Sequence, residues 1–251
     1  MATVLMPLPD RDFDVTEVAI PWHQLIDAGH RVVIATERGL IPQADPLLIS
    51  GVVFGKLGAE NDAIRRYREL EASSEFNAPI PWSEVQPSDF DGLLLPGGHA
   101  PGMRQYLGST ELQAVVAEYW ALDRPVGAIC HGVLVLARTT NPETGRSVIA
   151  ESRTTCLPKY MERAAYLATA WRRGRYYRTY PLYVEDEVRA ALLSPDAQFL
   201  RGPVELRQRG TATDDGPTWV ITDGRYCSAR WPGDAYRFGR EFLGLLAGAG
   251  E

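Results

Sequence analysis

Pro125-Val126-Gly127-Ala128-Ile129-Cys130-His131-Gly132-Val133-Leu134 is the stretch that decides how this chain folds. An apolar run of strand type stops at a cysteine, and a helical pattern starts at once behind it. Ala128 and Gly132 flank Cys130 at the spacing of a G-x-S-x-G nucleophile elbow, with cysteine for serine and alanine for the first glycine. So sharp a turn strains the backbone of the nucleophile and is expected to expose its side chain. The helix N-terminus behind the sulfur brings free N–H groups and a partial positive charge, so the thiol pKa is expected below the free value of about 8.5. The competing reading is a buried cysteine that packs as a small hydrophobe at a strand end. His131 follows directly and is a candidate base, or else a helix N-terminal histidine facing solvent.

Outward from the elbow, strand-like and helical runs alternate. Thr3–Met6, Arg31–Ala35, Asp91–Leu95 and Pro125–Ile129 read as strands, and Val15–Ala28, Ala59–Ser73, Ser109–Leu122 and His131–Arg138 as helices. This order implies an α/β fold, a mostly parallel sheet flanked by helices on both faces. In the second half, Ser147–Ala150 and Arg153–Cys156 look like strands, and Lys159–Arg173, Val184–Leu193 and Asp234–Leu246 like helices. Asp223-Gly224 is a two-residue hairpin turn between Thr218–Thr222 and Tyr226–Ala229. Pro42–Lys56 is a long loop without periodicity, of the kind that covers a site near strand C-termini. No repeat or linker divides residues 1–251, which are read as one domain.

Two further stretches carry chemistry. Asp91-Gly92-Leu93-Leu94-Leu95-Pro96-Gly97-Gly98-His99 ends a strand in a glycine pair on the sheet edge that also carries Cys130. The Gly97 and Gly98 amides are candidates for an oxyanion hole, against the plainer reading of a βα turn. His99 then contacts a substrate carbonyl or caps the next turn. Glu17, among apolar neighbours near the start of the first helix, is either a partner of the thiol or an ordinary first-turn glutamate. His23 and His30 read as structural, and four histidines without metal-ligand spacing give no metal site and no cofactor.

Composition excludes other classes. Thirty-two acids against 26 bases, a net charge of −6, disfavour a nucleic-acid backbone or an anionic membrane as partner. Three cysteines in no repeating pattern suit a reducing, cytoplasmic setting better than a disulfide framework. No apolar run is long enough for a bilayer.

Taken in order, the T-E-V-A-I-P helix with Glu17, the L-L-L-P-G-G-H loop and the A-I-C-H-G elbow resemble the ThiJ/PfpI superfamily from Met1 to about Gly248. The resemblance implies a flavodoxin-like, class I glutamine amidotransferase-like fold. It also implies a reactive cysteine at Cys130, a contacting glutamate at Glu17, and oxyanion-binding amides at Gly97 and Gly98. The Cys-His pair resembles the branch of glyoxalase III and the heat-shock chaperones, and also the PfpI proteases. In the chaperone-like branch an acid about thirty residues past the cysteine completes a triad, a role that falls by position on Glu162, with Glu151 and Asp123 as alternatives. A departure is the basic-aromatic segment Trp171–Arg178, expected at a subunit contact or beside the pocket. Three functions stay open: an enzyme on small carbonyl compounds, a cysteine hydrolase or peptidase, and a chaperone or oxidative-stress sensor. A homodimer is expected, as is common in the superfamily.

Overall fold

The computed structural model describes residues 1–54 and 57–249. Its strands are β1 (Thr3–Pro7), β2 (Arg11–Phe13), β3 (Arg31–Thr36), β4 (Gln43–Ala44), β5 (Ile80–Pro81), β6 (Gly92–Leu95), β7 (Val126–Ile129), β8 (Val220–Asp223) and β9 (Tyr226–Ala229). The helices of the first half are α1 (Val15–Asp27), α2 (Pro46–Ser50), α3 (Asn61–Glu71), α4 (Ser74–Asn77), α5 (Met103–Leu107), α6 (Thr110–Trp120) and α7 (Val133–Arg138). Those of the second half are α8 (Lys159–Arg173), α9 (Val184–Ala191), α10 (Pro195–Gln198) and α11 (Ala235–Gly248).

Seven strands form one sheet in the order β5-β3-β1-β6-β7-β9-β8. Every pair is parallel except β9 with β8, the hairpin expected at Asp223-Gly224, where Gly224 adopts a φ of +58°. The central strands β1, β6 and β7 are buried almost throughout and read as unbroken apolar runs, because helices cover both faces. The α1 and α11 helices pack against each other at Gly239, where a Cβ would collide with Gln24 and approach the Pro21 Cα to 3.3 Å. Ser109 caps α6 as its sequence suggests, its Oγ accepting the Leu112 N–H at 3.1 Å.

Two expectations change. Ser147–Ala150 and Arg153–Cys156 are turns, each touched by a single bridge, Thr140 to Ser147 and Thr154 to Phe199. The sheet has no position for them: β7 is flanked by β6 and β9, and Thr154 instead turns its hydroxyl to Tyr226 and Ser228 of β9. The loop expected over Pro42–Lys56 contains β4, paired with β2 in a small second sheet, and α2; its last residues, Gly55 and Lys56, lie outside the described residues.

The C-terminal region is tied down by a buried ion pair. Asp234 accepts from the Arg230 guanidinium at 2.9 and 3.0 Å and from the Trp219 N–H at 3.0 Å, and Arg230 also donates to the carbonyls of Pro203 and Pro217. Neither side chain of the pair has any solvent exposure. Among the described residues, no helix is long and apolar enough to cross a membrane.

Candidate active site

β7 ends at Ile129, and Cys130 takes a φ of +58°, the left-handed region where an L residue is strained. A 3₁₀ turn over Cys130–Gly132 leads straight into α7. Gly132 is required there because any Cβ would run into the Leu95 carbonyl oxygen at the end of β6. At Gly97 a Cβ would stand 2.7 Å from the His131 backbone nitrogen and 2.9 Å from Glu17 Oε2. The turns after β6 and β7 therefore interlock, and Glu17 is wedged against both.

The elbow is present, but Cys130 is 1% exposed rather than open to solvent. Met161, Ala164 and Ala165 of α8, with Leu206, Arg209 and Trp231 of the later chain, wall a cavity of about 310 Å³ whose lining includes Cys130, Glu17, Gly98 and His99. Tyr177 of the basic-aromatic segment also lines it. Tyr177 donates its hydroxyl to Asp45 at 2.8 Å, while Trp171 stays 66% exposed.

Glu17 is fully buried. Its Oε2 accepts the Gly97 N–H at 2.8 Å, and its carboxyl group lies beside the Cys130 thiol. Oε1 has no hydrogen-bond partner among the described residues. Burial, reinforced by the Asp14 carboxyl, raises the Glu17 pKa well above the usual carboxylate range. Asp14 caps α1 through the Thr16 and Glu17 N–H groups, and burial lifts its pKa to about 6. Burial also pushes the Cys130 thiol up, helped by the Glu17 and Asp14 carboxyls, and the His131 N–H opposes this only weakly. The depressed thiol pKa expected from a helix N-terminus is thus outweighed by desolvation.

His131 Nδ1 lies 3.6 Å from the sulfur. Burial, with the nearby His99, Arg138 and Arg178, lowers its pKa well below the usual value and keeps the ring neutral. His99 stands edge-on to it with ring centroids 4.6 Å apart, and burial lowers its pKa to about 4. One ligand atom from each of His99, Cys130 and His131 lies within 4.8 Å of the others, a grouping with the donor chemistry of a soft metal site. Sequence spacing gave no sign of it, because His99 arrives from another strand.

The remaining site residues divide. The Gly97 N–H is spent on Glu17, so of the glycine pair only the Gly98 N–H, which has no acceptor among the described residues, is free for an oxyanion. Glu162 is buried, but its oxygens bind the Arg178 guanidinium and the Val184 N–H, and no hydrogen bond joins it to His131 among the described residues. Asp123 precedes β7 while Cys130 follows it, so the strand separates them, and Glu151 is an exposed turn residue. Asp14, Arg209 and Trp231 were missed. Asp14 had a legible signal, since Asp14-Val15-Thr16-Glu17 is a good N-cap, but Arg209 and Trp231 come from irregular chain with no periodicity.

A family profile described as ThiJ/PfpI family-like matches residues 8–203. The chain belongs to the ThiJ/PfpI-like family. Within it, the chain is 26% identical over 234 residues to a protein of Pyrococcus abyssi named a deglycase, covering 93% of each. It is 29% identical over 249 residues to an uncharacterized protein of Schizosaccharomyces pombe, covering 96% of this chain and 83% of the other. The crystal structure of glyoxalase III from Candida albicans superposes on this ThiJ/PfpI-like chain with a TM-score of 0.68 at 18% identity, over 97% of each. That likeness bears out the flavodoxin-like fold.

Proposed function

We propose that this protein is a cysteine-dependent enzyme on small reactive carbonyl compounds, a glyoxalase III-like hydratase or a deglycase, with Cys130 as the nucleophile. The observation that carries the reading is a strained thiol in the lining of a deep pocket, with the Glu17 carboxyl and the His131 imidazole beside it. Relatives named deglycase in Pyrococcus abyssi and glutathione-independent glyoxalase in Schizosaccharomyces pombe support the substrate class. The depth of the sulfur suits a small molecule better than an extended peptide.

In the resting site Cys130 holds its proton, and Glu17, whose pKa burial raises, serves as the proton donor. As an aldehyde carbon approaches, the S–H proton passes to His131 Nδ1, the C–S bond forms and the carbonyl π pair moves to oxygen. The Gly98 N–H steadies that oxygen, Glu17 gives its proton to it, and the carboxylate so formed then takes the proton of the hemithioacetal carbon and returns it to the adjacent ketone carbon. For methylglyoxal, rearrangement of the hemithioacetal and addition of one water release lactate and return the thiol. Incubation with methylglyoxal and assay of lactate tests the reading. Lactate formation is expected, falling at least about 10³-fold in Cys130→Ala. Equal rates for the two proteins would remove Cys130 from the chemistry.

A further inference from the structure

The cavity narrows the substrate further, on the footing of the carbonyl reading above. Away from its polar floor, the walls are Leu48, Val52, Leu157, Met161, Leu206 and Trp231. Ala164 and Ala165 of α8 contribute only methyl groups to the lining. Arg209 is the one guanidinium in the lining among the described residues. It is already paired with Glu60 at 3.8 Å and lies over the Trp231 ring at 5.3 Å. Asp14 and Glu17 share the lining, so a carboxylate or phosphate on the substrate would meet carboxyl groups and, among the described residues, a single guanidinium already shared with Glu60. A sugar would find unpaired polar atoms at Trp231 Nε1 and Glu17 Oε1, but most of its hydroxyls would face the apolar side chains, at the desolvation cost of each one left unpaired.

We infer that the carbonyl substrate carries an aryl or branched alkyl body, as in arylglyoxals and bulky alkylglyoxals, rather than a charged or polyhydroxylated one. A space of about 310 Å³ lies at the small end of pockets that enclose whole organic ligands. The lone methyl of methylglyoxal leaves most of it wet against apolar walls. A ring or tert-butyl group displaces that water and buries its own surface, and this favours both ground state and transition state.

The test compares methylglyoxal with tert-butylglyoxal and phenylglyoxal. The bulky compounds are expected to show a kcat/KM at least about tenfold higher, within the range that a few methylenes achieve in an apolar pocket. Ala165→Leu, which narrows the cavity, is expected to lower that ratio about tenfold. A measurement independent of turnover uses the unreactive ketones. Acetophenone is expected to shield Cys130 from iodoacetamide at concentrations where acetone does not. Equal or better use of methylglyoxal, with no shielding by acetophenone, would overturn the inference and leave the carbonyl reading intact. Shielding by acetophenone with no glyoxal consumed would support the apolar site and overturn the carbonyl reading.

Discussion

Glu17 shows how burial sets the chemistry of a single residue. Its folded pKa is raised by desolvation and by Asp14, so folding binds a proton wherever the unfolded chain has already lost it. The sign follows. Below the unfolded value of 4.5 the carboxyl is neutral in both states and its native contacts count in full. As pH rises above 4.5, only the unfolded state ionises, and stability is lost until the folded pKa is passed. Glu17→Gln keeps an acceptor for the Gly97 N–H and cannot ionise. The variant is therefore expected to gain on the parent protein as pH rises from 4 to 8, by more than about 1 kcal/mol, with no gain near pH 4. Urea unfolding at the two pH values checks this, and a gain independent of pH would show that Glu17 ionises freely in the fold. Cys130, Glu17 and the glycine pair were legible in the sequence because strand-to-helix turns and Gly-Gly ends are local signals. What was not legible is burial. Whether Cys130 sees solvent depends on α8 and the chain around Arg209, and no local pattern near residue 130 reports on either.

At the scale of the elements, the elbow works because two βα turns share one space. Gly132 lies against the Leu95 carbonyl, and Gly97 lies against the backbone of His131 and Gly132. Gly132→Ala is expected to cost about 1–3 kcal/mol through overpacking and to reduce lactate formation from methylglyoxal more than tenfold, since the strain is relieved by moving the nucleophile. Thermal unfolding and the same activity assay test both parts, and an Ala variant with parental stability and rate would mean that the turns do not interlock. The long elements α1, α6, α8 and α11 were legible within a few residues because each has enough turns to show its period. β2, β4 and α2 were not, since two to five residues hold less than one informative repeat. The strands expected at Ser147–Ala150 and Arg153–Cys156 had strand-like composition, but the sheet offered no edge to receive them.

At the scale of the whole molecule, the later chain is anchored by Arg230 and Asp234. The pair holds β9, the start of α11 and the carbonyls of Pro203 and Pro217 in one buried network. Asp234→Ala leaves a guanidinium without its counter-charge and is expected to destabilise the fold by about 3–5 kcal/mol, read by urea denaturation. A loss below about 1 kcal/mol would mean that solvent reaches Arg230. The parallel order was legible from the alternation of strand and helix, yet the place of β9 beside β7 was not, because adjacency across nearly a hundred residues leaves no local trace. That adjacency also has a consequence in time. The strand that carries the nucleophile finds its first neighbour, β6, within a short stretch of synthesis, but waits for residues 226–229 before its other edge is closed. A chain emerging from the ribosome therefore holds a half-built centre with an unpaired strand edge while nearly a hundred further residues are made, and the thiol gains its enclosure only late.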